Sequence, residues 1–372
     1  MRIGVLGAGQ LGRMLAQAGA PLGMEFRFLA PPGETCVTGL GELMQGDLRD
    51  RALLDRFAAG LHVVTFEWEN VPAQVLRHLM ARVPVLPGVA SLERGQDRVA
   101  EKQFFRECGL QVQAFAPIDA PRDFDAALQA VPLPAMLKTR RMGYDGKGQA
   151  KVDSRHALDA AFAALGGVPC ILEAFVPFES EVSLLAVRGT SPDGSDIRFW
   201  APCRNEHRGG ILDRTVAPAP GIPDQTLRHA QAGVRAVLER LDHVGVLCVE
   251  FFLERGRLVA NEMAPRVHNS GHWTIEGAVT SQFENHVRAV AGRPLGDTAS
   301  HGVAALRNLV GAVPAPEAPL PPGVHLHLYG KSPRAGRKLG HLTSVAQQES
   351  IARSNADAAF AALNAQPASA RG

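Results

Sequence analysis

Hydrophobic residues occur along the chain in short runs that alternate with amphipathic stretches, and this alternation predicts an α/β fold. The first run, at residues 2–6, is typical of a buried strand, and a helix is predicted from about residue 13 to residue 18. Further strands are predicted at residues 24–29 and 63–66. Strands that alternate with helices in this way favour an open sheet whose ligands bind at the carboxyl ends of the strands.

The pattern continues with one helix over residues 91–108, in which Asp97, Arg98 and Lys102 are typical of a solvated face. A chain of 372 residues exceeds what a single hydrophobic core usually fills, so we expect two or three domains. A first domain of about 90 residues would end at the segment Val-Leu-Pro-Gly before this helix.

Two apolar runs in the second half of the chain predict a β-hairpin that carries two acids. Residues 246–262 break at Gly256, with Glu250 in the first run and Glu262 at the end of the second. A two-residue turn would place Glu250 opposite Asn261, one bulged residue would place it opposite Glu262, and the pattern leaves both registers open. Both acids could simply face water. Because carboxylates are rarely buried without a partner, the pair is also a candidate site for Mg²⁺.

The loop after the hairpin, residues 263–273, has no hydrophobic period and contains an arginine, two histidines, an asparagine, a serine and a tryptophan. Polar side chains at this density are typical of loops that carry function on a rigid scaffold. The loop is therefore the strongest candidate for the catalytic segment.

The amino-terminal turn at residues 7–12 matches the pattern GxGxxG between a strand and a helix. A dinucleotide-binding domain would place an acid near the end of the next strand, but Leu29 is followed by Ala-Pro-Pro-Gly. The amides of the turn could still hold an anion or a small polar ligand. Glu67 follows the strand at residues 63–66 and is a candidate for substrate hydroxyls or an amine, whereas Glu69 or Asn70 would cap the next helix.

Lys138 ends a short strand and precedes a loop, residues 139–149, that contains three glycines and three arginine or lysine residues. Such a loop can close over phosphates, although no Walker sequence is present and a plain surface loop is the alternative. A second basic stretch, residues 330–341, is either a solvated turn or a site for a substrate phosphate.

Composition narrows the function classes further. The formal net charge of +2 gives no reason to expect nucleic acid or a membrane surface as a partner. Five cysteines without a CxxC pair fit reduced thiols in the cytosol. We expect no signal peptide and no membrane span, because the chain starts directly with a strand and has no apolar run of about 18 residues.

The segment at residues 261–273, the loop at residues 143–149 and the Gly-Gln-Leu-Gly turn resemble the 5-(carboxyamino)imidazole ribonucleotide synthases of the ATP-grasp superfamily. The resemblance implies an ATP-grasp fold with a Rossmann-like pre-ATP-grasp domain and a small β-rich carboxy-terminal domain. The implied domains are residues 1–90, residues 91–295 for nucleotide binding and catalysis, and residues 296–372 with a frayed tail. A cytoplasmic homodimer is implied as well.

The resemblance implies that ATP, bicarbonate and 5-aminoimidazole ribonucleotide, with Mg²⁺, give the carbamate on the exocyclic amine, ADP and phosphate, as a step of purine biosynthesis. Glu250 and Glu262 would hold the metal, Arg266 would hold bicarbonate, and His268 with Asp145 would handle the proton of the amine. The implied catalytic residues are Asp145, Arg266, His268 and Asn269. The implied ATP-binding residues are Arg98, Lys138, Gly143, Tyr144, Asp145, Gly146, Lys147, Gly148, Gln149, Glu173, Ala174, Phe175, Val176, Glu181, His207, Asn261 and Glu262. The implied substrate-binding residues are Gln10, Glu67, Lys331, Arg337 and Lys338.

Three alternatives stay open at this point. Another ATP-grasp ligase, such as a formate-dependent glycinamide ribonucleotide transformylase or a carboxylase, would differ mainly in its substrate residues. A nicotinamide dehydrogenase would use the amino-terminal glycine turn. A non-catalytic nucleotide-binding protein would not need both candidate metal acids.

The nucleotide that the protein binds distinguishes an ATP-grasp ligase from a nicotinamide dehydrogenase. We expect the protein to bind ATP or ADP with Mg²⁺ and to ignore NAD and NADP, because the ribose-binding acid after Leu29 is absent while Lys138 precedes a glycine-rich loop. Isothermal titration calorimetry with each nucleotide measures this. Tight binding of NAD without binding of ATP would contradict the assignment.

Overall fold

A computed structural model describes residues 1–33, 35–143, 148–190, 196–313 and 320–365. The amino-terminal part is a four-stranded parallel sheet in the order β3-β2-β1-β4 with helices packed on it. Its elements are β1 (Arg2–Leu6), α1 (Gln10–Gly19), β2 (Glu25–Ala30), β3 (Glu42–Gln45), α2 (Arg51–Ala58), β4 (Val63–Phe66) and α3 (Ala73–Met80). The predicted α/β organisation of this part is confirmed.

A second sheet is antiparallel, has the order β5-β8-β6-β7, and is covered by two helices. The elements from the end of the first sheet through this one are α4 (Val89–Gly95), α5 (Arg98–Glu107), β5 (Phe115–Ile118), α6 (Phe124–Ala130), β6 (Ala135–Thr139), β7 (Gln149–Val152), α7 (Arg155–Ala164) and β8 (Cys170–Ala174).

The largest sheet is antiparallel and has the order β14-β13-β9-β11-β12-β15-β17-β16, with β10 paired to β9. Its elements and helices are β9 (Ser180–Arg188), β10 (Ile197–Phe199), β11 (Cys203–Arg208), β12 (Ile211–Ala217), α8 (Asp224–Arg240), β13 (Gly245–Glu254), β14 (Arg257–Ala264), α9 (Thr274–Gly277), α10 (Gln282–Val290), β15 (Val303–Val310), β16 (Val324–Leu328), β17 (Lys338–Ala346) and α11 (Glu349–Ala365). The carboxy-terminal strands therefore extend the central sheet instead of forming a sheet of their own. The domain boundaries at residues 90 and 295 stay a prediction.

Three details of the sequence interpretation are wrong. The single helix predicted over residues 91–108 is divided into α4 and α5, because the Asp97 carboxylate accepts hydrogen bonds from the amides of Val99 and Ala100 and starts a new helix. Lys102 is fully buried, so it does not belong to a solvated face. In addition, β17 begins at Lys338, so the last part of the predicted basic turn is strand.

The amino-terminal sheet and the central sheet share one hydrophobic core, in which α1 packs on α10. Two fully buried histidines, His243 and His286, form hydrogen bonds between the elements that meet at this junction. The Val246 amide donates to Nδ1 of His286, so the Nε2 hydrogen of that ring is directed to Thr65 Oγ1 at 2.8 Å. His243 bonds Ser91 Oγ and the Val246 carbonyl. Both rings are therefore neutral in the folded protein.

In the described ranges no helix combines the length and apolar character that a membrane crossing requires. All five cysteines are buried and none is joined to another in a disulfide: Cys36, Cys108, Cys170, Cys203 and Cys248. The absence of disulfides among them agrees with the prediction of reduced thiols.

The junction predicts a defined dependence of stability on pH. Burial lowers the pKa of His243 to about 4 and of His286 to about 3, below the unfolded value of about 6.5. Their contribution to the free energy of unfolding is therefore complete above pH ~6.5 and decreases as the pH falls from there through the folded values. His286→Gln should reduce the slope of the unfolding free energy against pH between about 6.5 and 4 in urea titrations, while His229→Gln, at an exposed position, should leave it unchanged. Equal slopes in all three proteins would contradict this account.

Candidate active site

A cavity of about 530 Å³ lies where the amino-terminal sheet, the central sheet and the carboxy-terminal turn meet. Predicted residues of all four classes line it. The catalytic and substrate residues among them are Gln10, Glu67, Arg266, His268, Asn269, Lys331, Arg337 and Lys338, and the ATP-binding and metal residues are Arg98, Gly143, Glu250 and Glu262. Segments that are far apart in the sequence are thus brought together in one polar site.

The hairpin of β13 and β14 settles the register that the sequence left open. Glu254 is paired with Arg257 across a two-residue turn, and a bulge next to Glu250 makes Glu250 the direct neighbour of Glu262. Asn261 is the extra residue of the bulge. The side chains of Glu250 and Glu262 are 18% and 40% exposed and both line the cavity, so the alternative of two acids in open solvent is wrong.

The two carboxylates differ in their charge partners. Arg98 Nη1 lies 2.7 Å from Glu262 Oε2, and its attraction outweighs burial and lowers the pKa of Glu262. Glu250 Oε1 lies 3.6 Å from Nε2 of the His268 ring. Burial, then repulsion by Glu262, raises the pKa of Glu250 to about 8, although the charges of His207 and Lys338 lower it. If both acids were ionised they would repel each other, and a bound cation would relieve that repulsion.

The loop that carries His268 is fixed at both its backbone and its ring. Gln282 accepts from the His268 amide at 2.9 Å and donates to its carbonyl at 2.6 Å, as a neighbouring strand would. The Ser270 amide donates to Nδ1 of His268 at 3.3 Å, which leaves the hydrogen of the neutral ring on Nε2, facing Glu250. Burial, followed by repulsion from Arg266, lowers the pKa of His268 well below its ordinary value.

The neighbours of His268 are held by partners that the sequence analysis did not assign. Arg266 forms an ion pair with Glu69 at 2.5 Å, so Glu69 is a site residue. The prediction that Glu69 or Asn70 caps the next helix is wrong, because the N-cap of α3 is Pro72 and no side chain caps that helix. The amide of Asn269 is paired with the buried amide of Asn308, with distances of 2.8 and 3.2 Å. Both side chains are thereby fixed in orientation next to the acid pair.

Glu67 has a role that the glycine pattern did not predict. Its carboxylate accepts hydrogen bonds from the amides of Gly9 and Gly12, at 2.6 Å for the second. The anion position at the start of α1 is therefore filled by the protein itself, and α1 begins at Gln10, three residues before the predicted start. Because a dinucleotide pyrophosphate would need the same amides, this arrangement argues against the dehydrogenase alternative.

The basic turn, at residues 330–341, also lines the cavity. Lys331 Nζ donates to Gln10 Oε1 at 2.6 Å, which joins the turn to the start of α1. Arg337 and Lys338 line the same wall, together with Arg334, which the sequence analysis had not assigned. Their concentration at one end of the cavity gives that end a positive charge.

Several predicted ATP-binding residues do not line this cavity. Lys138 on β6 lies 2.8 Å from the buried carboxylate of Glu173 on β8. His207 on β11 lies 2.5 Å from Glu181 on β9. Burial would lower the pKa of His207, but the hydrogen bond and charge of Glu181 outweigh it and raise the pKa.

Four residues of the glycine-rich loop, Tyr144, Asp145, Gly146 and Lys147, lie outside the described residues, so the predicted pairing of Asp145 with His268 stays a prediction. The loop returns at Gly148, whose φ of +73° favours glycine, and the Gly148 carbonyl accepts from the Thr139 amide. Ala174, Phe175 and Val176 continue from Glu173 at the end of β8, as predicted for the link between the two lobes.

The sequence analysis missed further polar groups at the site. Arg140 lines the cavity and forms an ion pair with Asp97 at 2.9 Å. Glu101 accepts from the Met263 amide at 2.7 Å, and burial raises its pKa to about 8. Glu101 belongs to the helical stretch that looked like solvated surface, whereas Arg140 lies in the loop at residues 139–149 that was predicted to close over phosphates. Only the presence of charges near a phosphate-type loop could have indicated them.

Three family models match the chain in succession. The ribonucleotide synthetase preATP-grasp domain matches residues 1–96, the ATP-grasp domain residues 103–283, and the phosphoribosylaminoimidazole carboxylase C-terminal domain residues 304–355. The ATP-grasp organisation predicted from the sequence is confirmed.

Individual relatives cover almost the whole chain. The N5-carboxyaminoimidazole ribonucleotide synthase of Pseudomonas aeruginosa is 52% identical over 344 residues, which is 92% of this chain and 94% of that protein. The crystal structure of the N5-carboxyaminoimidazole ribonucleotide synthetase of Thermus thermophilus has a TM-score of 0.91 at 49% identity and covers 98% of this chain and 99% of its own. The synthase of Aspergillus clavatus in complex with ADP and 5-aminoimidazole ribonucleotide has a TM-score of 0.86 at 25% identity, with 98% of each chain covered.

Proposed function

The chain belongs to the family of N5-carboxyaminoimidazole ribonucleotide synthases, and from this premise we propose how its residues carry out the reaction. It is an ATP-dependent carbon–nitrogen ligase of the ATP-grasp class. The proposed reaction joins bicarbonate to the exocyclic amine of 5-aminoimidazole ribonucleotide at the expense of ATP. The observation that carries this proposal is the convergence of the acid pair, the His268 loop and the basic turn on one cavity.

The chemistry requires activation of bicarbonate, which is a poor electrophile. A bicarbonate oxygen attacks the terminal phosphorus of ATP, the bond to ADP breaks, and carboxyphosphate forms. The amine nitrogen then bonds to the carboxyl carbon, directly or after release of CO₂, while the bond to phosphate breaks and the amine loses a proton. The protein must balance the phosphate charges and keep water from the intermediate.

Glu250 and Glu262 fit a magnesium ion. They are direct neighbours whose mutual repulsion a cation would relieve, and Mg²⁺ in nucleotide sites needs only one or two carboxylates. Within the described ranges no three His, Cys, Asp or Glu side chains form a metal site, so nucleotide phosphates and water would supply the other ligands. When bound, the ion would neutralise charge on the phosphate oxygens.

The nucleotide itself would lie between the two lobes. Lys138 and the loop at residues 143–149 would contact the phosphates, and Arg98 and Asn261 would contribute next to the acid pair. Glu173 with the backbone of residues 174–176 would receive the adenine, and Glu181 with His207 the ribose. Lys138 and Glu173 lie on β6 and β8 of the second sheet, and Glu181 and His207 lie on β9 and β11 of the central sheet. This division between two sheets supports the arrangement.

The carboxylating half of the site would lie in the cavity. Arg266, oriented by Glu69, would hold bicarbonate through its planar guanidinium. The Nε2 hydrogen of His268 faces Glu250 and the cavity, so the ring can donate to a developing oxyanion. It would accept the proton of the amine only after passing that hydrogen on, and Asp145 would assist. Asn269 would help to position the amine of the substrate.

The ribonucleotide would bind between the glycine turn and the basic turn. Lys331, Arg337 and Lys338 would hold its phosphate, and Gln10 with Glu67 would contact its polar edge. Because Lys331 already contacts Gln10, substrate binding would use a wall that is assembled beforehand. Association as a homodimer and a cytoplasmic location stay predictions that rest on the resemblance.

The function is tested by coupled measurement of ADP release and by isotopic capture of bicarbonate in the product. ADP release should depend on bicarbonate and on 5-aminoimidazole ribonucleotide together, and the label should appear in an acid-labile carbamate. Glycinamide ribonucleotide with formate is the control substrate pair. Turnover with that pair and none with the first would replace the proposal by the transformylase alternative.

The metal assignment predicts the behaviour of Glu262→Gln. The change is nearly isosteric and should preserve the fold, but a neutral amide is a poor ligand for Mg²⁺ beside phosphates, so ATP turnover should be abolished. Turnover is measured across a range of Mg²⁺ concentrations, with Glu254→Gln near the hairpin turn as the control. Turnover like that of the wild type at low Mg²⁺ would remove Glu262 from the site.

The two halves of the site predict different kinetic effects. His268→Asn should leave binding of ATP with Mg²⁺ nearly intact and reduce carboxylation by roughly 10²-fold or more, because a positioned proton-transfer group is lost. Lys331→Ala should mainly raise KM for the ribonucleotide, because ground-state contact with its phosphate is lost. ADP release with each substrate varied in turn measures both. If His268→Asn weakened ATP binding while carboxylation per bound ATP stayed normal, the division into two halves would be wrong.

A further inference from the structure

Lys102 on α5 is a buried cation to which the proposed mechanism gives no task. Its side chain is 0% exposed, which is rare for a lysine unless a partner balances its charge. The Nζ atom donates to Gln113 Oε1 and to the Ala260 carbonyl, each at 3.2 Å. It also lies 3.7 Å from Glu173 Oε1, the oxygen of that carboxylate that has no hydrogen bond within the described protein.

Glu173 is therefore shared by two lysines. Lys138 approaches Oε2 at 2.8 Å on one side, Lys102 faces Oε1 on the other, and Gln113 donates to Oε2 at 2.9 Å. Burial raises the pKa of Glu173, but attraction by Lys102 and Lys138 outweighs it and lowers the pKa to about 2. The carboxylate is thus fully charged at neutral pH.

The charges of this cluster do not cancel. Two cations, Lys102 and Lys138, oppose one carboxylate, Glu173, while the neighbouring Arg98 is paired with Glu262. Glu101 also acts on Lys102, but burial raises its pKa to about 8, so it is largely neutral at pH 7. One positive charge remains, and Lys138 is the lysine with some exposure, 11% of its side chain against none for Lys102. Without Lys102, the charge of Lys138 would be neutralised by Glu173.

We propose that Lys102 is a positioning residue that acts through Glu173: it keeps this carboxylate balanced, so that the charge of Lys138 is available to the phosphates of the nucleotide. The inference rests on the proposed function, in which Lys138 contacts phosphate. Lys102 itself would touch no ligand. Its effect would appear only for ligands that carry phosphate.

The test compares adenosine with ADP, because the two share the base and sugar and differ only in phosphate charge. Lys102→Met removes the cation and keeps an unbranched side chain of similar length. In calorimetric titrations with Mg²⁺, the variant should lose about tenfold or more in affinity for ADP and change little for adenosine. A loss of packing alone would weaken both ligands alike, and thermal unfolding of each variant measures how far the fold is affected.

A double-variant cycle shows whether the effect passes through Glu173. In a Glu173→Gln background no carboxylate competes for Lys138, so Lys102→Met should there reduce the preference for ADP over adenosine far less than in the wild type. Glu173→Gln alone should weaken ADP and adenosine alike where its proposed adenine contact is lost, but it should keep or increase the preference for ADP. This second variant tests the idea even if Lys102→Met does not fold.

The outcomes separate the inference from the function on which it rests. If the wild type bound no ADP, the proposed function would fail and the inference with it. If the wild type bound ADP while Lys102→Met kept the same preference for ADP over adenosine, only the inference would be overturned. An equal loss of preference with and without Glu173→Gln would also overturn it, because the effect would then not pass through that carboxylate.

Discussion

The side-by-side placement of Glu250 and Glu262 is the constraint on which the site depends. A single bulged residue, Asn261, turns the Glu262 side chain to the face of the hairpin that Glu250 occupies. Without the bulge, the period of two along a strand would place the acids on opposite faces of the sheet. Repulsion between two adjacent, partly buried carboxylates destabilises the hairpin, so the surrounding structure must compensate, and Arg98 on α5 does so for Glu262.

That compensation links the second sheet to the central sheet. Arg98 follows the break at Asp97, and the same aspartate accepts from Arg140 at the end of β6. The start of α5 thus contacts the acid pair on one side and the phosphate-loop strand on the other. A continuous helix over residues 91–108 would lose the amino-terminal cap at Asp97 and the orientation of Arg98 with it. The break between α4 and α5, which the sequence pattern did not predict, is therefore needed to orient Arg98 in the site.

The sequence could predict the elements and most of the site residues, but not how charges are shared among them. The alternation of apolar runs predicted the hairpin, and the acids at its centre pointed to the cavity. The register was undecided because a bulge has no hydrophobic signature. Glu67 was expected to face a substrate, yet it fills the anion position of the glycine turn, since the folded chain brings its carboxylate to those amides. The burial of Lys102 was missed because helical spacing alone does not reveal a polar partner from another element.

The cations proposed to hold ligands already contact acceptors of the protein itself. Arg266 is paired with Glu69, and Lys138 with Glu173. Such pairing fixes the cations in place before a ligand arrives, which lowers the cost of ordering them on binding. It also means that a phosphate or carboxylate must compete with an internal carboxylate for each cation. A ligand can displace the internal carboxylate from the cation only where that buried carboxylate still accepts a hydrogen bond from another group. Glu173 does so, because Gln113 donates to it. The positions of these secondary partners therefore decide which internal pairs can open for substrate and which remain structural.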